Sequence, residues 1–260
     1  MISRRSIKKS SSSVENNGRT WKTSNLTGIA VNSILGNNGK WVATTQNNGV
    51  YYSTDGKNWT QSKLTTGSFG AICCREGYWV VGSLDGTGIF YSSNLNTWSN
   101  AYPKTGSFKP GSICAFEGGW YAGVSSGSTI YSSNASDGSS WSGNSSGHGG
   151  CNEMYTSLDC CVLAGSAEYA TSGSYGIYYR NSGSSSFSNS NLSAPMKCIC
   201  KAANAWIVGS EGNNGIYYST GGPNSFSRSN KIDGSISSLF YANGIIVATS
   251  NRGTPGIFYS

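Results

Sequence analysis

Three acidic side chains are the best candidates for chemistry in this sequence. Asp85, Glu168 and Glu211 all fall in polar segments between a Trp- or Val-led strand and a Tyr-containing strand. Segments at the same place in a repeated unit share one face of the fold, so two of these carboxylates could act as general acid and base on a glycosidic bond. Carboxylates in loops are more often simply hydrated. Both interpretations stay open at this point.

Metal and nucleophile chemistry has less support. His148, the single histidine, lies in a Ser/Gly-rich run without an acidic neighbour, so neither a catalytic triad nor a metal site is predicted. Among eight cysteines, Cys73, Cys114 and Cys200 each stand six residues before a Trp and so occupy one repeated position, which indicates packing. We expect reduced thiols, a protein that folds in the cytoplasm, and no metal or cofactor.

A second group of residues suits binding rather than catalysis. Three tyrosines lie in loops on the same face, among Ser, Gly and Asn, which is the composition of adaptable binding surfaces. Packing of each tyrosine onto its own loop is an equally good interpretation. Arg252 is the one arginine of seven that falls in a loop of this kind. The predicted ligand-binding residues are Tyr102, Glu168, Tyr169, Tyr175, Glu211 and Arg252.

The elements that position these residues occur six times along the chain. The same strand is marked, at intervals of 39, 40, 48, 39 and 41 residues, by Tyr52, Tyr91, Tyr131, Tyr179, Tyr218 and Tyr259. Each is preceded by a strand rich in Trp and β-branched residues, and in five units an aromatic residue follows and opens an outer strand. A period near 40 is typical of a β-propeller. We predict an all-β, six-bladed propeller with four-stranded antiparallel blades.

The first strand and the ends of the repeat complete this prediction. In five units an inner strand begins at a small residue followed by two apolar ones, at Ser33, Ala71, Ser112, Cys198 and Ser238. No outer strand follows Tyr259, whereas Arg19–Ser24 read as an outer strand with nothing before it. We therefore predict that Arg19–Ser24 closes the ring in the last blade, because closure removes exposed sheet edges. The propeller domain then spans residues 13–260.

The distribution of charge argues against some classes of partner. The formal net charge is +7, and four of these charges come from a basic tail with Arg4, Arg5, Lys8 and Lys9. The rest of the chain is nearly neutral, so nucleic-acid binding is not expected. We find no apolar run long enough to span a membrane and no apolar segment of a signal peptide. Residues 1–12 are predicted to form a flexible tail, with docking on an acidic partner as the alternative.

The turn from Ser53 to Trp59 carries a family resemblance. Its sequence, Ser-Thr-Asp-Gly-Lys-Asn-Trp, resembles the Asp-box (BNR) turn of sialidase-like propellers, with one residue missing after Asp55. In that family the Asp-box is a folding turn away from the ligand site, so the resemblance implies that Asp55 caps its own turn. Sialidases need three arginines around a carboxylate, and Arg252 alone does not supply them.

These observations favour a non-enzymatic binding or structural propeller. The Ser-, Gly-, Asn- and Tyr-rich composition is similar to that of propellers in bacteriophage virions and adhesins. Such a protein would recognise a cell-surface glycan or a neighbouring virion or adhesin protein. The main alternative is a glycoside hydrolase that uses carboxylates among Asp85, Glu168 and Glu211. A designed or purely architectural repeat protein is the third hypothesis, and the irregular fourth unit argues against design.

Overall fold

The fold comes from a computed structural model, which describes residues 22–101, 108–124, 129–145, 150–156, 160–166, 176–229, 233–242, 244–253 and 255–260. Within these ranges 23 β-strands form six antiparallel sheets, five with four strands and one with three. The strands follow one another in chain order across every sheet. The described ranges contain no helix with the length and hydropathy needed to cross a bilayer.

The first three sheets consist of β1 (Val31–Asn37), β2 (Lys40–Thr45), β3 (Val50–Ser53) and β4 (Thr60–Gln61); β5 (Phe69–Arg75), β6 (Tyr78–Ser83), β7 (Ile89–Ser92) and β8 (Ser99–Asn100); and β9 (Pro110–Phe116), β10 (Gly119–Val124), β11 (Thr129–Ser133) and β12 (Ser142–Ser145). The other three consist of β13 (Gly150–Thr156), β14 (Cys160–Ser166), β15 (Gly176–Asn181) and β16 (Ser188–Asn189); β17 (Met196–Ala202), β18 (Ala205–Ser210), β19 (Ile216–Ser219) and β20 (Ser227–Arg228); and β21 (Gly234–Ala242), β22 (Ile245–Gly253) and β23 (Gly256–Tyr259). We call the first strand of each sheet the inner strand, because these strands pack on one another in the order β1, β5, β9, β13, β17, β21.

Two-residue hairpins join the inner strand to the second strand in five of the six sheets. In the first three sheets these turns are Asn38-Gly39, Glu76-Gly77 and Glu117-Gly118, and both residues of each pair have positive φ. This is the type I′ backbone, which matches the twist of paired strands and favours glycine at the second position. The hairpins therefore set the register of the first three sheets.

The structure confirms an all-β fold with four-stranded antiparallel sheets. The outer strands are shorter than expected and begin just after the predicted aromatic residue, as at Thr60 after Trp59. In the predicted closing strand Arg19–Ser24, residues 19–21 lie outside the described residues, and residues 22–24 have no regular secondary structure. The six-blade count and the closure therefore stay predictions.

Tryptophans of the second strands fill the spaces between consecutive sheets. Trp79, Trp120 and Trp206 are almost completely buried. Trp79 packs in one cluster with Val42 and Val50 of the preceding sheet, and Trp120 and Trp206 occupy the same position in their own units. Burying such a side chain contributes roughly 2 to 3 kcal/mol. Each tryptophan thus joins its own sheet to the one before it.

The first and sixth sheets expose most of the remaining large apolar side chains. Trp41 stands where Trp79 stands one unit later, yet 39% of its surface is exposed. Of nine exposed large apolar residues in the described ranges, seven belong to these two sheets: Val31, Ile34, Trp41, Phe240, Ile245, Ile257 and Tyr259. Most of the large apolar side chains that are exposed in the described ranges therefore belong to the two terminal sheets.

The cysteines agree with the packing interpretation. Cys73, Cys114 and Cys200 pair with Val80, Tyr121 and Ile207, the residue after the unit's Trp in each case. The side chains of six cysteines are described, and none of these six forms a disulfide. Burial raises the pKa of Cys73 to about 12, so this thiol is protonated and unreactive at neutral pH.

Candidate functional site

The structure describes two of the six residues predicted to bind a ligand. Glu211 lies in the loop between β18 and β19, where its backbone N–H donates to Pro195 O at 2.9 Å. The expected loop position of Arg252 is wrong: the long ladder of the sixth sheet continues to Gly253 and pairs Arg252 with Ser235. Outside the described residues lie Tyr102, Glu168, Tyr169, Tyr175 and His148, and also Arg4, Arg5, Lys8 and Lys9. The binding roles of these residues stay predictions.

Asp85 holds the loop between β6 and β7 together. Its carboxylate accepts hydrogen bonds from Ser83 Oγ, from Thr87 Oγ1 at 3.0 Å, and from the Ser68 backbone N–H at 3.1 Å. Burial by itself raises the pKa of Asp85, but these hydrogen bonds together outweigh it and lower the pKa. A carboxylate of lowered pKa is a weak base and is not protonated near neutral pH. Asp85 is therefore a poor catalytic acid or base.

The Asp55 turn is closed by its own side chains. Asp55 Oδ1 accepts hydrogen bonds from the backbone N–H groups of Lys57 and Asn58, both at 2.8 Å. Trp59 Nε1 donates to Gly56 O at 3.2 Å. The turn in the second sheet has the same arrangement, with Asn94 Oδ1 accepting from Asn96 N at 3.0 Å and Thr97 N at 2.8 Å. The capping role predicted for Asp55 is therefore present in the structure.

Replacing Asp55 tests this capping role. Asp55→Ala leaves two backbone donors without their acceptor, so we expect a lower urea midpoint at pH 7, whereas Asp55→Asn keeps the acceptor that Asn94 provides elsewhere. The Asn58 and Lys57 N–H groups hold the pKa of Asp55 well below its usual range. Its stabilising effect is therefore present above the usual pKa of aspartate, about 4, and lost as the pH falls towards the lower folded value. An alanine variant as stable as wild type at pH 7 would contradict the role.

The inner strands share a β-bulge at one repeated register. In each of them one residue lacks a partner on the second strand, and the ladder resumes at the next residue. The extra residues are Asn32, Gly70, Gly111, Asn152, Lys197 and Ser237. The residues that follow them are Ser33, Ala71, Ser112, Glu153, Cys198 and Ser238. Two of these twelve residues, Glu153 and Lys197, are charged, and they lie on the neighbouring strands β13 and β17.

Glu153 and Lys197 line one cavity of about 250 Å³, which we call the inner-strand cavity. Its described lining is completed by Cys198, Ser237 and Ser238. Glu153 Oε2 accepts a hydrogen bond from the Ile199 backbone N–H at 2.7 Å. In the described part of the chain neither Glu153 nor Lys197 takes part in an ion pair. The cavity therefore contains two opposite charges that no ion pair among the described residues neutralises.

The electrostatics of the inner-strand cavity follow from its burial. Burial raises the pKa of Glu153, and the Ile199 N–H opposes this only in part. Burial, with the nearby Glu153 charge, raises the pKa of Cys198 to about 12 and that of Cys200 to about 11. Both thiols are thus protonated at neutral pH, and Cys198 Sγ donates to Ile236 O at 3.6 Å. The cavity is suited to binding and not to thiol chemistry.

Sequence reasoning missed the inner-strand cavity. A small residue followed by two apolar residues predicts an inner strand in five units. The fourth unit does not match this pattern, because Glu153 replaces the small residue there. The structure identifies β13 as the sixth inner strand. If the six units are aligned on their second strands, Glu153 falls at a position where the other units have serine, alanine or cysteine.

A second charged cluster, at the other end of the inner strands, is fully paired. Glu117 accepts hydrogen bonds from Ser182 Oγ at 2.5 Å and Gly183 N at 2.7 Å, and it pairs with Arg180 at 3.1 Å. The Arg180 guanidinium also lies 5.6 Å from the Phe116 ring centroid. This cluster joins the third sheet to the fourth and leaves no charge over for a ligand.

Comparisons with known proteins bear on the fold. No protein-family model and no curated protein matches the chain. Among solved structures, the computationally designed Ika8 protein aligns with a TM-score of 0.64 and 12% identity, over 85% of this chain and 68% of that one. A GH74 enzyme of Niastella koreensis aligns with a TM-score of 0.63 and 16% identity, over 89% of this chain but 36% of the enzyme. The structure of YCF48 bound to D1 peptide aligns with a TM-score of 0.62 and 14% identity, over 89% of this chain and 78% of that one.

These likenesses and the repeated sheets define the class of protein. The chain has a fold of the β-propeller type, similar to GH74 and YCF48 propellers. At these identities the likeness extends to the fold alone. The described residues bring no three His, Cys, Asp or Glu side chains together as a metal site would need. The expectation that the protein works without metal or cofactor stays a prediction.

Proposed function

We propose that this propeller is a non-catalytic binding protein, a virion-like or adhesin-like component that recognises a surface glycan or a neighbouring protein. The observation that carries the proposal is the inner-strand cavity, whose opposite charges have no ion-pair partner in the described ranges. Glu153 is the one carboxylate in its described lining, and retaining or inverting glycosidases need two. YCF48, a protein of the same fold, is recorded bound to a D1 peptide.

We also propose that the fold is a closed ring of six blades. The proposal is supported by the two exposed apolar faces on the first and sixth sheets. Trp41 and Ile34 stand at positions that are buried between sheets in later units, at Trp79 and Ile113. Packing the sixth sheet against the first would bury them in the same way.

The hydrogen bonds of Asn25 support Arg19–Ser24 as the closing strand. Asn25 Nδ2 donates to Trp59 O at 3.0 Å and Asn25 Oδ1 accepts from Trp59 N at 2.6 Å. Asn191, four residues after the outer-strand Phe187, makes the same pair with Phe226, at 3.0 and 2.7 Å. Asn25 likewise follows Trp21 by four residues. We therefore assign to residues 22–23, in a blade before the first, the place that β16 (Ser188–Asn189) holds in the fourth sheet.

An open groove of about 520 Å³ beside β23 supports the same proposal. In the fifth sheet the outer-strand Phe226 packs against Ile177, Trp206 and Val208. The corresponding residues one unit later line the groove, namely Ile216, Ile246 and Ala248. The groove thus repeats the site of an outer-strand aromatic, and Trp21 is the residue we assign to it.

The remaining proposals concern the family, the tail and the compartment. The Asp55 and Asn94 turns support membership in the Asp-box propellers. The six cysteines with described side chains form no disulfide, which supports folding in a reducing compartment such as the cytoplasm. The basic tail is proposed as a docking segment for an acidic neighbour in the assembly.

A carboxylate-dependent glycoside hydrolase is the second candidate function. The GH74 likeness favours it, and the hydrogen bonds that Asp85 accepts argue against it.

The binding role is tested with the full chain on a glycan array and by purifying it with stoichiometric partners from its source. We expect a ligand whose affinity falls about tenfold in Lys197→Ser, which removes one of the two charges that line the inner-strand cavity. Glu76→Ala is the matched control, because its hairpin lies at the opposite end of the strands and its side chain is 65% exposed. If no glycan and no partner binds the chain, or if Glu76→Ala weakens binding equally, the proposal is wrong.

A further inference from the structure

Glu153 occupies a position where a single hydrogen-bond acceptor is sufficient, and it adds a charge and a second oxygen. The residue after the bulge in β9 is Ser112, whose hydroxyl accepts a hydrogen bond from the Met154 N–H of the next inner strand at 2.9 Å. One unit later, Glu153 accepts the equivalent hydrogen bond from Ile199 N–H. A serine hydroxyl is therefore sufficient to join two inner strands here. The negative charge and the second oxygen of Glu153 serve no such purpose.

Lys197 is a second charged side chain that, within the described ranges, takes part in no ion pair. It occupies the bulge position, where the units on either side carry Asn152 and Ser237. The Ser237 hydroxyl already bonds Thr249 Oγ1 at 2.8 Å, whereas no hydrogen bond of the Ser238 hydroxyl occurs in the described ranges. Holding an unpaired carboxylate and ammonium in a partly buried cavity costs free energy. A ligand with matching charges would remove that cost.

We propose that the inner-strand cavity binds a small zwitterion of the α-amino-acid class. The ligand ammonium pairs with the Glu153 carboxylate, while the ligand carboxylate pairs with Lys197 Nζ and accepts a hydrogen bond from the Ser238 hydroxyl. The volume of about 250 Å³ accommodates a small amino acid. No aromatic ring belongs to the described lining, so the stacking surface that favours a neutral sugar is missing there.

This inference rests on the proposed binding role of the protein, but its ligand is a free amino acid and not a surface glycan or a protein. The experiment titrates the full chain with each of the twenty free amino acids, observed by NMR or calorimetry. Methyl esters and N-acetyl derivatives of the best ligand remove one ligand charge at a time. We expect at least one free amino acid to bind, and each derivative to bind about thirtyfold or more weakly, because it leaves a charge in the cavity unpaired.

Two variants assign the binding to the cavity. Glu153→Ser copies the serine that Ser112 provides one unit earlier, and Lys197→Ser copies Ser237 of the next unit, so both are expected to fold. We expect each to lose about thirtyfold or more in affinity. Lys201→Ser, on the same strand but away from the cavity lining, is the control and keeps wild-type affinity.

Three outcomes would overturn the inference. The wild-type chain binds no free amino acid at millimolar concentration, its esters and N-acetyl derivatives bind as tightly as the parent, or Glu153→Ser retains full affinity. Binding of neutral sugars that Glu153→Ser abolishes would assign the cavity to the glycan itself. Failure of amino-acid binding while the glycan or protein partner still binds would reject this inference and leave the proposed function intact.

Discussion

Removing residues 1–24 is expected to lower the thermal unfolding midpoint by about 10 °C, while removing residues 1–12 leaves it unchanged. The longer deletion takes away Trp21, the residue that we assign to the groove beside β23. Loss of a buried tryptophan costs about 3 to 5 kcal/mol, and each kcal/mol shifts the midpoint of a domain of this size by roughly 2 to 4 °C. The shorter deletion removes the basic tail and keeps the proposed strand. Calorimetry on both proteins measures the difference.

Trp21→Ala and the mass in solution separate closure within the chain from pairing between copies. We expect Trp21→Ala to reproduce most of the effect of the longer deletion, and the wild-type chain to be a monomer by light scattering. The shortened chain should self-associate, because the unpaired edge of β23 and the exposed Tyr259 are left available. If the two deletions are equally stable, the closing strand is not Arg19–Ser24. A wild-type dimer that the longer deletion converts to monomers would assign the strand to a second copy.

Most of the fold could be predicted because the determining pattern is local and repeated. Every second strand and every Tyr-containing strand was found, since Trp- and Tyr-rich runs between Gly and Asn turns keep their spacing from unit to unit. The short outer strands begin one residue late, because Trp59 is held in the turn by its bond to Gly56 O before the ladder starts. The position of Arg252 was wrong for a non-local reason, the extension of β21 beyond its usual length.

The candidate site was harder to predict, because its residues become neighbours only when inner strands pack side by side. Glu153 and Lys197 are 44 residues apart and belong to different units, and nothing in either local sequence indicates the other. The bulge brings both to one cavity, and a bulge is a register shift that a pattern of period two does not show. Deviations from a repeat are therefore better indicators of function here than the repeat itself.

Gly209→Ala is expected to destabilise the protein by about 3 kcal/mol, an effect of overpacking. Gly209 lies on β18 and faces the inner strand of the sixth sheet. A Cβ atom there would lie 2.6 Å from Ile236 Cβ and Cγ2 and 2.6 Å from Cys198 Sγ. Ile236 is completely buried and cannot move aside without shifting β21. The expected fall in the thermal midpoint is roughly 6 to 12 °C.

A control variant and a double variant test whether contact between the fifth and sixth sheets causes the destabilisation expected for Gly209→Ala. Gly221→Ala adds the same methyl group where no atom lies within 4 Å, so its stability should stay within about 0.5 kcal/mol of wild type. Ile236→Ala removes Cγ2, one of the contacting atoms, and the double variant should therefore be less destabilised than the sum of the two single variants. Strict additivity would mean that Gly209 and Ile236 do not touch, and the packing of the fifth sheet on the sixth would have to be different. Since the inner-strand cavity is built from β13, β17 and β21, the same double variant should also weaken ligand binding there, whereas Gly221→Ala should not.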